Sequence, residues 1–243
     1  ELPLAVESKL EPRSITFSPD GGSLYFLSRS KDGRAGSELY RTSRFGGSTE
    51  FVAGDVGSEA AISPDGTQIA YFRQIAEKNE HQLVVLTVAN RSEAIVTKRE
   101  FPDGFDLRSS PCWSADGKHI FAIAKPQGRP NSSLLKISAS DGNAVAIPAP
   151  QIRQFVSLVA TPDGSSLLFT GREPNRFPQV YKMPVGGGSV QRITNDLNIY
   201  RKLSLSSDGK RLVVMQKNNP STLLLVKDGN LQNAVKLTEG RTN

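Results

Sequence analysis

The chain writes one hairpin five times, and that constrains its fold more than any other feature. The copies are "TFSPDGGSLYF" (16–26), "AISPDGTQIAYF" (61–72), "CWSADGKHIFAI" (112–123), "ATPDGSSLLFT" (160–170) and "LSSDGKRLVVM" (205–215). Counted from the turn aspartates Asp20, Asp65, Asp116, Asp163 and Asp208, the separations are 45, 51, 47 and 45 residues. A glycine follows each aspartate, and a hydroxyl residue sits two before it: Ser18, Ser63, Ser114, Thr161, Ser206. Apolar residues hold the slot three before (Phe17, Ile62, Trp113, Ala160, Leu205) and the slot four after (Leu24, Ile69, Ile120, Leu167, Leu212). Self-similarity at about 40–45 residues marks a repeat architecture of propeller type.

Each residue type has a mechanical reason. Proline presets φ for the turn and glycine takes the positive φ that closes it. Short Asp and Ser side chains bond nearby backbone amides. The flanks alternate with period two, so each is a strand with one face toward the core. Further strands follow in each unit: "ELYRTS", "QLVVLTV", "LLKISA", "QVYKMPV" and "TLLLVK", then, after Gly- or Asn-containing turns, "TEFVAG", "EAIVTK", "AVAIPA", "VQRITN" and "AVKLTE". Four antiparallel strands per unit make a propeller blade. The expected fold is all-β: one propeller domain over 1–243, with blades at about 13–54, 58–98, 108–149, 154–196 and 199–240 and essentially no helix. A β-sandwich is the competing fold, but it predicts no such echo. "LPLAV" in segment 1–12 either closes a five-bladed ring as a borrowed outer strand or belongs to a neighbouring blade. The reading adopted here is a five-blade section of a larger propeller.

The chain begins at Glu1 with no initiator Met and reads as a piece of a longer polypeptide, so it leaves the compartment, periplasmic or cytoplasmic, open. No apolar run approaches the roughly 18 residues of a membrane span. A single cysteine, Cys112, allows no internal disulfide.

The "SPDG" and "SADGK" turns with their "LYF" and "IAYF" continuations resemble the TolB-like (WD40-like) β-propeller repeat over nearly the whole chain. Residues 192–216, "RITNDLNIYRKLSLSSDGKRLVVMQ", resemble the propeller that follows a Ser/Thr protein kinase domain or a winged-helix domain in acidobacterial-type regulators. The resemblance implies a sensor or interaction module with catalysis elsewhere in the parent. No kinase motif lies within these residues.

No catalytic constellation is expected. The two histidines, His81 and His119, sit in a polar loop and in a strand, with no Gly-x-Ser-x-Gly elbow to serve. Ser133 and Lys136 match Ser-x-x-Lys, but on a strand they point to opposite faces. Gly186–Ser189 occupies a hairpin-turn slot rather than a phosphate loop. The Asp-Gly pairs lie whole blades apart, so they read as turns and not as calcium sites. Cys112 reads as a buried, inert thiol. Asn90-Arg91-Ser92 and Asn131-Ser132-Ser133 match a glycosylation pattern common by chance. No metal or cofactor is expected.

Charge placement is the more useful signal. The loops joining second and third strands (28–38, 73–81, 125–133, 171–179 and 216–222) carry ten Lys and Arg against five Asp and Glu; the whole chain has a formal net charge of +6. They should ring one face, either as a solvated surface or as a rim that steers anionic partners. The candidate binding residues are Arg73, Arg129, Arg172 and Arg176. Phe101 and Phe105 of the long 97–110 loop join them, as recognition residues or as a plug. The expected partner is a protein, a peptide or a small anionic ligand; nucleic acid is disfavoured, because stacking aromatics are scarce. The domain is expected to be monomeric. Alternatives are the gating propeller of a prolyl oligopeptidase-like hydrolase and a TolB-type periplasmic scaffold.

Overall fold

The computed structural model describes residues 10–30 and 36–217, together with the backbone of 224–225 and 235–236. Three sequence expectations fall partly or wholly outside these residues: the "LPLAV" strand, the middle of loop 28–38, and most of loop 216–222 with the chain's last segment.

Four complete blades follow one another, each a four-stranded antiparallel sheet in simple up-and-down order. The first holds β1 (Ile15–Phe17), β2 (Ser23–Arg29), β3 (Ser37–Ser43) and β4 (Glu50–Val56). The second holds β5 (Ala61–Ile62), β6 (Gln68–Ile75), β7 (Glu80–Thr87) and β8 (Glu93–Glu100). The third holds β9 (Cys112–Trp113), β10 (His119–Ala124), β11 (Ser133–Ser138) and β12 (Ala144–Ile147). The fourth holds β13 (Gln154–Ala160), β14 (Ser166–Arg172), β15 (Gln179–Pro184) and β16 (Gln191–Arg192). A partial fifth comprises the hairpin β17 (Ile199–Leu205) and β18 (Leu212–Lys217) and the short pair β19 (Leu224–Leu225) and β20 (Val235–Lys236). Among the described residues the fifth unit shows two two-stranded pieces, so four complete blades and a partial fifth stand where five four-stranded blades are expected. One 3-10 turn, Ala76–Lys78, interrupts the strands, and no helix among the described residues is long and apolar enough to cross a membrane.

The repeated turn is built alike five times. In each, the Ser or Thr hydroxyl donates to the Asp carboxylate and accepts the backbone N–H five residues on. The same carboxylate accepts the backbone N–H two residues after it, at 3.0–3.1 Å. The following glycine takes φ between +67° and +74°, where a Cβ would be strained.

Strand alternation then sorts side chains between neighbouring blades. Tyr25, Leu27 and Leu39 of the first blade pack on Ile69, Tyr71, Val84 and Leu86 of the second. Ala70, Phe72, Leu83 and Val85 of the second pack on Trp113, Ile120 and Ala122 of the third. Phe121, Ile123 and Leu134 of the third pack on Leu158, Leu167, Phe169 and Tyr181 of the fourth. Each blade therefore closes its neighbour's core, as stacked repeats must. Cross-links between inner strands repeat too: Trp113 Nε1 donates to Ala61 O at 3.0 Å, Ala160 N–H to Cys112 Sγ at 3.1 Å, and Leu203 N–H to Ser157 Oγ at 3.2 Å.

Candidate functional site

The inner strands leave a cavity of about 410 Å³ on the axis. Its wall is built from one recurring position. Glu59, Ser110, Ser157 and Lys202 each stand six residues before a turn aspartate, and all four line the cavity. Ser157 and Lys202 lie on β13 and β17, while Glu59 and Ser110 lie just ahead of β5 and β9. Second-to-third-strand loops add Lys125, Ser132 and Pro178, so the two loop sets share one mouth.

The charges here are unevenly matched. Glu59 reaches across the axis to Lys202, and Asp106 accepts from Arg108 Nε at 3.1 Å. The bond to Asp106 holds the Arg108 guanidinium above its ordinary pKa. Lys125 and Arg201, on the same lining, have no ion-pair partner among the described residues. Four cations thus face two carboxylates, and both carboxylates are engaged.

The six sequence candidates are spread over the loop face. Arg73 is held inward: its guanidinium pairs with Glu93 at 2.8 Å and donates to Tyr71 Oη at 3.1 Å. Burial and the bond to Glu93 push the Tyr71 phenol far above its ordinary pKa. Arg176 is exposed and paired with Glu173 at 3.3 Å. Arg129 and Arg172 are exposed on the rim, and neither lines the axial cavity. Phe105 is only 2% exposed and stacks on Phe72 with ring centroids 4.5 Å apart, whereas Phe101 is 58% exposed. The two phenylalanines of one loop thus have opposite roles, one packing the blade junction and one standing at its surface.

Sequence reasoning passed over Glu59, Lys202, Arg201, Lys125 and Asp106 as site residues. The signal for the first two was present: in the hairpin grammar the slot six before each aspartate reads Ser14, Glu59, Ser110, Ser157, Lys202, polar five times.

Cys112 lies between the third and fourth blades. The residue as a whole is half-buried, but burial pushes its thiol up to about 12. Thiolate is the reactive form, so native protein should resist thiol-directed reagents at pH 8 and react on unfolding. Stoichiometric labelling of the native protein within minutes would contradict this.

The sequence matches no family model and no curated protein. Solved structures do match. A protein identified as TolB from Agrobacterium tumefaciens superposes with a TM-score of 0.70 at 17% identity, over 88% of this chain and 77% of that one. The chain has the TolB-like β-propeller fold. An oligogalacturonate lyase in complex with manganese gives a TM-score of 0.62 at 15% identity, over 91% of this chain and 63% of that one. A prolyl endopeptidase gives 0.56 at 14%, over 96% of this chain and only 37% of that one. At such identities the likeness is one of fold.

Proposed function

We propose that this propeller is a non-catalytic binding module that draws an anionic ligand, or an acidic segment of a partner protein, into the axial mouth. The observation that carries this reading is the pair of uncompensated cations, Lys125 and Arg201, on a cavity of about 410 Å³ whose two carboxylates are already paired. Clefts lined by one sign of charge concentrate ligands of the other. The lining offers hydroxyls, an amide and cations, and its two carboxylates, Glu59 and Asp106, are both engaged in ion pairs. That pairing favours holding a ligand over transforming one. The exposed rim residues Arg129 and Arg172 extend the positive field outward. The wider setting, a sensor or interaction half of a bacterial regulator such as a Ser/Thr protein kinase, rests on the resemblance of residues 192–216.

The test is a melting series at low salt with an acidic peptide, an oligouronate and a neutral sugar. An anion at a hundred times its Kd should raise the melting temperature by about 5–10 °C. The neutral sugar should not. Added salt should erase the gain, and so should Lys125→Ala with Arg201→Ala, without lowering the unliganded melting temperature. A gain retained by that double variant, or none with any anion, would refute the reading.

The likeness to a prolyl endopeptidase favours one second reading, a propeller gating a hydrolase. A serine-hydrolase domain in the same full-length protein would support it.

A further inference from the structure

The axial cavity is divided by polarity as well as by charge. Every lining residue from the second and third blades and the loop between them is polar, from Glu59 to Ser132. All five apolar lining residues, Phe155, Val156, Pro178, Ile199 and Met215, come from the fourth and fifth blades. Phe155 is buried in the blade junction, but Val156, Pro178 and Ile199 are half-buried and Met215 is 55% exposed. One wall is thus wholly polar, and on the other apolar side chains stand beside Arg201 and Lys202.

A break in the repeat builds the second wall. In the first three blades the innermost strand pairs with its neighbour without a shift of register. In the fourth, the pairing of β13 with β14 shifts between Phe155 and Ser157, which leaves Val156 as an extra residue. In the fifth, the pairing of β17 with β18 shifts between Tyr200 and Leu203, so Arg201 and Lys202 together stand opposite Met215. Both shifts fall at one place in the repeat, since Val156 and Arg201 each lie seven residues before a turn aspartate. A regular strand sends consecutive side chains to opposite faces. A bulge re-aims them, and bulges gather beside functional sites. Accordingly, four consecutive residues of β13, Gln154 to Ser157, and two of β17, Arg201 and Lys202, line the same cavity. Backbone bonds hold this wall: Phe155 N–H donates to Ser132 Oγ at 2.8 Å, and Tyr200 N–H donates to Pro178 O at 3.0 Å, which seats the start of β17 beside Pro178.

Met215 shows the consequence. It lies seven residues after its turn aspartate, where the third blade has the fully buried Ile123. In the fifth blade the same slot is exposed and lines the cavity. Apolar surface left in water gains from an apolar group laid on it, and here that surface adjoins the unpaired Arg201. The volume, about 410 Å³, lies within the range of roughly 300–1,000 Å³ usual for small-molecule sites.

We propose, building on the anion-binding reading of this cavity, that its ligand is an organic anion carrying an apolar body about the size of an aromatic ring. Its charge is drawn to Lys125 and Arg201, and its body lies on Val156, Pro178, Ile199 and Met215.

Calorimetric titrations of the intact chain at low salt, with 3-phenylpropionate, glucuronate and 3-phenylpropanol, test this. Glucuronate matches the charge on a polar body; phenylpropanol matches the body without the charge. Phenylpropionate should bind about tenfold or more tightly than either, with a negative heat-capacity change that glucuronate lacks. Ile199→Thr with Met215→Gln should bring phenylpropionate down to the affinity of glucuronate and leave glucuronate unchanged. Met215→Gln alone, at an exposed position, should cost about threefold and serves if the pair fails to fold. Equal affinity for the two anions, or a preference kept in both variants, overturns the proposal and leaves the cavity an anion site without this selectivity. Phenylpropanol bound as tightly as the acid, or neither anion bound, overturns the anion reading as well.

Discussion

Trp113→Ala should lower the melting temperature by about 6–20 °C, a cost of about 3–5 kcal/mol, while Phe17→Ala should change stability by no more than about 0.5 kcal/mol. The two residues occupy the same slot, three before a turn aspartate, so the repeat alone predicts equal effects. The packing does not. Trp113 is 6% exposed, set among Phe72, Leu83 and Phe105 at the junction of the second and third blades, and its indole N–H donates to Ala61 O. Truncating it would open a large cavity and leave that carbonyl unpaired. Phe17 is 60% exposed on the face of the first blade that has no such neighbour among the described residues. Circular dichroism melts of both variants suffice, since Trp113 is the single tryptophan and cannot report on its own removal. Equal losses would mean that the slot, and not the neighbouring blade, sets the energy.

That contrast shows what the sequence holds and what it does not. Strand count, hairpin turns and the inward alternation are local properties, and five copies made them readable. Burial depends on what stands beside a blade, which no repeat unit encodes. The fifth unit illustrates this: its Val213 and Met215 hold the positions of the buried Phe121 and Ile123, yet both are exposed. Leu212 and Val214, on the opposite face toward the fourth blade, are only half-buried.

The site was less legible for a related reason. Summing charges loop by loop placed an excess of cations on one face, but pairing is decided by register. Arg73 belongs to the rim by sequence, yet strand alignment aims it at Glu93. Lys202 and Glu59 are 143 residues apart and meet only because inner strands converge on an axis. Phe101 and Phe105 sit four apart in one loop, and only the stack on Phe72 tells them apart. The polar slot six before each turn aspartate repeats and so is visible in the sequence, but only the convergence of the blades shows that four of its residues line one cavity.

The five turn aspartates should also give the protein a distinct acid limb. Their carboxyls are all held below the ordinary aspartate range, first by the Ser or Thr hydroxyl and then by the backbone amide two residues on, with Asp163 lowered to about 2. A depressed folded-state pKa means that the unfolded chain takes up protons first as pH falls. The stabilisation is therefore complete above about pH 4–5 and drains away as pH falls from the ordinary aspartate value near 3.9 through the lowered folded-state values, about 2 for Asp163. The melting temperature should stay level from pH 7 to about 5, then fall steeply to pH 2. Changing Asp20, Asp65, Asp116, Asp163 and Asp208 together to Asn tests the cause. Asparagine keeps an oxygen to accept both hydrogen bonds, so the turn geometry survives, but it has nothing to titrate. The variant should be less stable than the parent at pH 7, converge with it near pH 2, and show a flattened acid limb. Some slope will remain, because Glu80, Glu93, Asp141 and Asp196 are also held low by their partners. Parallel melting profiles for parent and variant across the whole range would show that these turns contribute geometry alone and no charge-dependent stability.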